Sequence, residues 1–136
     1  MKELIYCNIP GIGGGVIEEG TIDGYNWMIV SYSSHPCAYV QLQKDHPYYK
    51  ENYEFMEIDV HGGITYGQDG FHPNFPGIDP RDGFWIGWDY NHCFDFNALA
   101  HPVPREYEKM WTTEEIFEDV KSVIEQLKEI KSVEGE

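Results

Sequence analysis

The stretch TTEEIFEDVKSVIEQLKEIKS, residues 112–132, decides the fold class. Its apolar residues recur every three or four positions and share one helical face, at 116, 117, 120, 123, 124, 127 and 130. Thr112 and Glu115 have the spacing of a capping box, and the acidic first turn suits the positive end of the helix dipole. We therefore predict a long C-terminal helix with one buried face.

Upstream of this helix, the apolar residues follow the patterns of β-strands. Strands are predicted at ELIYCNI (3–9), in both arms of a hairpin around Asp23-Gly24, and at CAYVQL (37–42), EFMEIDV (54–60) and GFWIGWDY (83–90). Residues 67–83 are rich in Gly, Pro and Asp and are predicted to form a long loop. The fold class that follows is α+β, a mainly antiparallel sheet with the long C-terminal helix packed on one face.

Length and charge limit what the chain binds. A chain of 136 residues is expected to form a single domain, residues 1–136. The 24 acidic and nine basic residues give a net charge of −15, which repels phosphate backbones and anionic membranes. We expect no direct nucleic-acid binding and no membrane partner. Two exceptions stay open: a metal ion that makes an acidic site attract phosphate, and an acidic surface that imitates DNA.

The cysteines favour a reducing compartment. Cys7, Cys37 and Cys93 are odd in number and form no CxxC pair, which disfavours a disulfide framework. A cytoplasmic location is the simpler expectation for reduced thiols. No apolar run reaches the length of a membrane span, and the N-terminus lacks the apolar core of a signal peptide.

Two polar segments at the ends of predicted strands make the candidate site. HGGITY begins at His61, and DYNHCFD runs from Asp89 to Asp95. Asp89, His92 and Asp95 are three residues apart, so on a helical turn they would share one face. Together with His61 they are candidate catalytic residues and candidate ligands of a hydrolytic metal, because two His and two Asp suit Zn or Mn.

The same four residues also allow a metal-free site and a structural network. Without a metal, His61 would be the general base and Asp89 would orient it. In the structural alternative, Asp89 caps a turn and His92 pairs with Asp95, since the HisxxAsp spacing is common by chance. The cofactor therefore stays unknown, with a divalent metal, Zn or Mn, as the candidate.

Further residues would line a ligand pocket beside this set. The two glycines of HGGITY allow close backbone approach and could turn their amides towards an anion. Aromatic rings would offer flat walls to a planar ligand, although such clusters more often belong to a core. The predicted ligand-binding residues are His46, Gly62, Gly63, Thr65, Tyr66, Trp85 and Trp88.

Four segments occur along the chain in this order: HPCAYVQLQKDHPYY, VHGGITYG, FWIGWDYNHCFD and a final VIEQL helix. In sequence and in order they resemble the segments of a family of small uncharacterised proteins from phages and bacterial genomes. The family pattern has a CGYV strand, an HPxYG turn, a vHGGLTY segment, a GFDxxHxxD segment and a C-terminal helix, and the likeness runs from about residue 35 to 130. The matching positions are Cys37, Tyr39, His46, Pro47, His61, Gly62, Gly63, Thr65, Tyr66, Gly87, Asp89, His92 and Asp95. The chain departs from the pattern at Ala38, Tyr49, Ile64 and Trp88, of which Tyr49 affects the turn. The resemblance implies a phage or prophage origin and these site positions, but no particular reaction.

Three functions remain as alternatives. The first is a small hydrolase that acts on a phosphate-bearing or nucleotide-like molecule, and the second is a module that binds a small ligand without catalysis. The third is an acidic inhibitor or DNA mimic that binds a host protein. It rests on ten of the 24 acidic residues, which follow residue 105. An ordinary solvated helix face explains the same pattern.

Overall fold

The computed structural model describes residues 1–131, in which a five-stranded antiparallel sheet packs against one helix. The strands are β1 (Gly15–Ile22), β2 (Tyr25–Ser31), β3 (Pro36–Leu42), β4 (Tyr66–Phe71) and β5 (Arg81–Asp89), and the helix is α1 (Thr113–Glu129). The strands lie in the order β1-β2-β3-β5-β4, and every neighbouring pair is antiparallel. The predicted α+β class, with the C-terminal helix on one face of the sheet, is confirmed. Ser132, the last residue of the predicted helical stretch, lies outside the described residues.

α1 begins where the capping-box pattern predicts. The Thr112 hydroxyl accepts a hydrogen bond from the backbone N–H of Glu115, and the Glu115 carboxylate accepts one from the backbone N–H of Thr112. The predicted apolar face is buried, with five of its side chains wholly inaccessible: Ile116, Val120, Val123, Ile124 and Leu127. No helix within residues 1–131 has the length and apolar character needed to cross a membrane.

The sheet separates two apolar clusters because alternate residues of each strand point to opposite faces. On the α1 side, Trp27, Val40, Ile86 and their strand neighbours pack against the helix. On the opposite side, a smaller cluster holds Met28 and Trp85. Residues of the connection between β4 and β5 close this second cluster, so both faces of the central strands are buried.

The predicted strand at residues 54–60 is wrong, although its burial pattern is right. Met56 and Ile58 are buried while Asp59 is exposed, as the alternation requires. The segment pairs with no strand. Its first two residues belong to a 3-10 helix, Tyr53–Phe55, and a side chain of α1 bonds both backbone groups of Asp59. Gln126 Oε1 accepts from Asp59 N at 2.7 Å, and Gln126 Nε2 donates to Asp59 O at 2.8 Å.

Two other segments differ from their predictions. Residues 3–9 form no strand and are held by scattered bonds, such as Cys7 N to Ser33 O at 2.8 Å. The predicted loop at 67–83 contains most of β4, an edge strand that pairs with β5. Its composition hides the strand, since YGQDGF has few apolar residues and an irregular register between Asp69 and Phe71.

Replacing Gln126 by Ala should lower the free energy of unfolding by about 1–2 kcal/mol, because the backbone donor and acceptor of Asp59 lose their partner together. Urea denaturation followed by circular dichroism measures this loss. Glu125→Ala, which removes only an exposed ion pair with Lys128 on the same helix, is the control and should change stability by less than about 0.5 kcal/mol. Equal effects of the two substitutions would contradict the role given to Gln126.

Candidate functional site

The two predicted polar segments meet at the end of β5. His61 Nε2 lies 2.8 Å from Asp95 Oδ2, and His92 Nε2 lies 2.9 Å from Asp89 Oδ1. The centroids of the two imidazole rings are 5.6 Å apart. All four predicted catalytic residues therefore belong to one cluster, but their pairing differs from the expectation. Asp95, not Asp89, orients His61.

Asp95 is the centre of this cluster. Only 3% of its side chain is exposed, and it accepts hydrogen bonds from three donors. Besides His61, these donors are the backbone N–H of His92 at 3.0 Å and the indole N–H of Trp111 at 2.9 Å. An ionised carboxylate has no proton to donate, so it can only accept hydrogen bonds. The proton of a neutral His61 imidazole is therefore on Nε2, the nitrogen that faces Asp95. The lone pair of Nδ1 is then available to an incoming group.

Aromatic rings fix the plane of His61. Its imidazole stacks on Tyr90, with centroids 5.1 Å apart and planes within 4°, and it packs against Trp111 at 4.7 Å. The Tyr90 hydroxyl accepts from the Trp88 indole at 2.9 Å and donates to Asp119 Oδ2 at 2.6 Å. Burial raises the pKa of Tyr90, so its hydroxyl remains a donor across the physiological range.

A strained turn brings Asp95 into this position. Phe94 has φ +75°, in the left-handed region that non-glycine residues rarely adopt. The backbone N–H of Asp95 donates to His92 O at 3.0 Å, and Lys109 bonds the chain on both sides of Asp95, through Phe94 O and Phe96 N. At this turn the Phe94 side chain is 62% exposed, while the next residue, Asp95, is buried.

Gly62 lies against His92. A Cβ atom on Gly62, which has φ +70°, would come within 2.1 Å of His92 Nε2. That nitrogen is buried and forms no hydrogen bond, because its approach to Asp89 is close but poorly aligned. Gly63 has φ +77° with open space at its Cβ position. The backbone thus favours glycine at both positions, and at Gly62 the close approach of His92 leaves no room for a side chain.

The other predicted ligand-binding residues divide into two groups. Thr65 joins the cluster, since its hydroxyl donates to Asp89 Oδ2 at 3.3 Å. Trp85 and Trp88 are 3% and 1% exposed and belong to the two cores, so neither presents a face to a ligand. Tyr66 packs on Tyr39 at 5.3 Å in the second cluster.

His46 also has a structural position and not a binding one. It is buried, its Nε2 donates to Leu127 O at 2.8 Å, and its Nδ1 accepts from Tyr48 N at 2.9 Å. Both ring nitrogens are therefore used: Nε2 holds the C-terminal end of α1, and Nδ1 holds the loop that contains Tyr48. The candidate site contacts α1 nearer its beginning, through Asp119, and contacts the residue before the helix cap, Trp111.

The geometry gives the metal hypothesis no support. Within residues 1–131, no group of three or more His, Cys, Asp and Glu side chains is placed to hold a metal ion. In the cluster, the two oxygens of Asp95 already accept three N–H groups, and His61 Nε2 is one of those donors. The predicted Zn or Mn site at His61, Asp89, His92 and Asp95 stays without support, and the contacts seen there are hydrogen bonds and close polar contacts among these side chains.

Sequence reasoning missed two members of the site, Trp111 and Asp119, and gave no role to Tyr90, which lies within the predicted DYNHCFD segment. Trp111 precedes the helix cap, and no spacing rule connects it to Asp95, 16 residues earlier. A further contact joins Trp111 to the N-terminal segment, because the Tyr6 hydroxyl donates to Trp111 O at 2.9 Å. Beside this contact lies a cavity of about 380 Å³, lined in part by Leu4, Met110 and Trp111.

The three cysteines are free thiols, and none belongs to the hydrogen-bonded cluster. Cys37 is buried in the second core, and burial raises the pKa of its thiol. Cys93 is exposed next to His92 in sequence. A thiol nucleophile would need a lowered pKa and an aligned base, and Cys37 has the opposite shift.

Compared with protein-family models, with curated proteins and with solved structures, the chain has no significant match. The resemblance to the phage and bacterial family, and the origin that it implies, therefore stay predictions. Any functional conclusion has to come from the geometry of the site.

The two glycines provide a matched test of the site. Gly62→Ala and Gly63→Ala should each cost about 1–2 kcal/mol of stability, because both need a left-handed backbone. Only Gly62→Ala should displace the His92 ring and shift its imidazole NMR signals, since only that Cβ meets His92. If Gly63→Ala moves the His92 signals equally, the close approach of Gly62 to His92 is wrong.

Proposed function

We propose that the chain is a small hydrolase in which His61 is a metal-independent general base and Asp95 is its positioning residue. The observation that carries the proposal is the 2.8 Å contact between His61 Nε2 and a carboxylate that two further donors hold in place. His61 is 27% exposed, so part of its ring is open to a reactant while Nε2 is anchored on Asp95.

The arrangement supports proton transfer in a definite direction. With Nε2 protonated, His61 Nδ1 would take a proton from water as that water attacks the substrate. Asp95 would stabilise the resulting imidazolium, and His61 would return the proton to the leaving group. An oriented base of this kind contributes about 10²–10⁴-fold to a rate.

The charges around His61 bear on the substrate class. Asp89 and Asp95 belong to the cluster, and Asp119 is hydrogen-bonded to Tyr90, whose ring stacks on His61. Such a field disfavours a free phosphate close to His61, in a chain whose net charge is already −15. The proposed substrate is therefore a neutral or cationic molecule. The phosphate-bearing or nucleotide-like class that the sequence suggests is the alternative.

The acidic-inhibitor alternative has weaker support from the helix. Glu118 and Glu125 are exposed on α1, but each forms an ion pair with a lysine three residues later, Lys121 and Lys128. Alternating charges of this kind are usual on a solvated helix face. Two of the ten acidic residues after residue 105, Glu134 and Glu136, lie outside the described residues.

A substrate panel in matched pairs tests the proposal. Each nucleoside or ester is assayed beside its phosphorylated form, with a chelator present. We expect turnover of uncharged members, and a loss of about 10²–10⁴-fold in kcat/KM for His61→Gln. Asp95→Asn should lower kcat while leaving KM nearly unchanged, because Asp95 acts through His61. His72→Gln, at an exposed histidine of the β4–β5 connection, is the control and should keep full activity.

Two results would overturn the hydrolase proposal. Saturable binding of a panel member without turnover would support the non-catalytic ligand-binding module instead. Turnover that survives His61→Gln would place the chemistry elsewhere in the protein. Preference for the phosphorylated member of each pair would keep the acid–base mechanism and reverse the substrate class.

A further inference from the structure

The exposed apolar side chains of the described chain are concentrated in two segments. Of the ten large hydrophobic residues that are exposed, nine lie in residues 1–12 and 94–110, and the tenth is Phe55. Their exposed fractions range from 45% to 68%. The nine are Met1, Ile5, Ile9, Ile12, Phe94, Leu99, Val103, Tyr107 and Met110, and we call the two segments together the apolar end.

The two segments of the apolar end are neighbours in space. Both are anchored on the turn between β2 and β3, since Cys7 N donates to Ser33 O and Ala98 N donates to Ser34 O. The rings of Tyr6 and Phe96 are 5.5 Å apart. Met1 and Met110 line the same cavity beside the start of α1.

The apolar end is also nearly free of net charge. Residues 1–12 and 94–110 contain three Lys or Arg and four Asp or Glu, one of which is the buried Asp95. The rest of the chain holds the other 20 acidic and six basic residues. At its edge, Glu18, Glu114 and Glu115 from the rest of the chain contact Lys2, Met1 and Lys109. An apolar surface with few charges of its own, on so acidic a protein, is the composition expected of an interface centre, where charged residues are depleted.

We propose that the apolar end is the interface through which two copies of this chain form a dimer. Each copy carries the same −15 charge, so two copies repel each other least through the surface where the charge is balanced. Its free charges include both signs, Lys2 and Arg105 beside Glu3 and Glu106, which suits a self-complementary contact. Glu108 and Lys109 are paired within each copy, with His101 and Glu115.

The available area is sufficient for a stable dimer. The nine side chains are 45–68% exposed, and with the backbone between them they offer an area on the order of that needed by one partner of an interface. One partner of a standard interface buries about 800 Å². The apolar end borders the candidate site through Phe94 and Met110, the neighbours of Asp95 and Trp111, so a second copy would shelter that edge of the site.

Analytical ultracentrifugation over a wide range of protein and salt concentrations tests the dimer, with a reductant present so that Cys93 forms no disulfide. We expect a reversible monomer–dimer equilibrium. Its association constant should rise about tenfold when NaCl rises from about 20 mM to about 500 mM, because salt screens the repulsion between acidic copies. A cationic partner would show the opposite salt dependence.

Two glutamate substitutions provide the matched control. Val103→Glu, 68% exposed in the apolar end, should weaken the dimer by about tenfold or more, because it buries a charge at the interface. Phe55→Glu adds the same charge at a residue that is 79% exposed elsewhere and should change the association constant by less than about twofold. Circular dichroism confirms that both variants fold.

Three results would overturn the dimer. They are a monomer at every protein and salt concentration, equal weakening by Val103→Glu and Phe55→Glu, and association that weakens as salt rises. None of these bears on the catalytic proposal, which depends on the effect of His61→Gln on turnover.

Discussion

The buried carboxylate of Asp95 is the constraint on which this end of the molecule depends. An ionised carboxylate out of water is stable only when donors satisfy it, and removing one partner of a buried pair costs about 3–5 kcal/mol. Here the donors come from three separate segments: His61 after the 54–60 stretch, His92 in the turn after β5, and Trp111 before α1. The side chain of Asp95 thus holds three connecting segments of the chain in place.

A second chain of hydrogen bonds joins this centre to the helix. Trp88 donates to Tyr90, and Tyr90 donates to Asp119 on α1. Because the Tyr90 ring also stacks on His61, the plane of the imidazole is tied to the packing of α1 on the sheet. The orientation of His61 is therefore a property of the whole core, and a second layer of contacts of this kind is what a preorganised acid–base group needs.

Local rules predicted those parts of the fold that local residues determine. The capping box at Thr112, the apolar face of α1 and the hairpin at Asp23-Gly24 each depend on neighbours in sequence. The alternation at 54–60 predicted correctly which residues are buried, but it predicted strand pairing wrongly. The backbone N–H and C=O groups of an extended residue can bond either to a neighbouring strand or to a side-chain amide, and at Asp59 they bond to Gln126. β4 was missed because an edge strand needs little apolar surface.

The site shows the same limit. Spacing identified His61, Asp89, His92 and Asp95 as one group but assigned the wrong carboxylate to His61. The choice of Asp95 depends on the left-handed turn at Phe94, for which the sequence carries no signal, since Phe rarely adopts such a φ. Trp111 was beyond any spacing rule, because its contact with Asp95 exists only after α1 has packed.

The segment 94–111 connects the two proposals physically. It has little regular secondary structure, and its inward residues Asp95, Phe96 and Ala98 are buried. Its outward residues, among them Phe94 and Val103, remain exposed. A segment without a helix or strand ladder keeps its shape through such inward contacts, so the bonds to the Asp95 carboxylate that orient His61 also hold the apolar side chains outside. The strained turn at Phe94 serves both: it directs one residue to the acid–base pair and its neighbour to the surface.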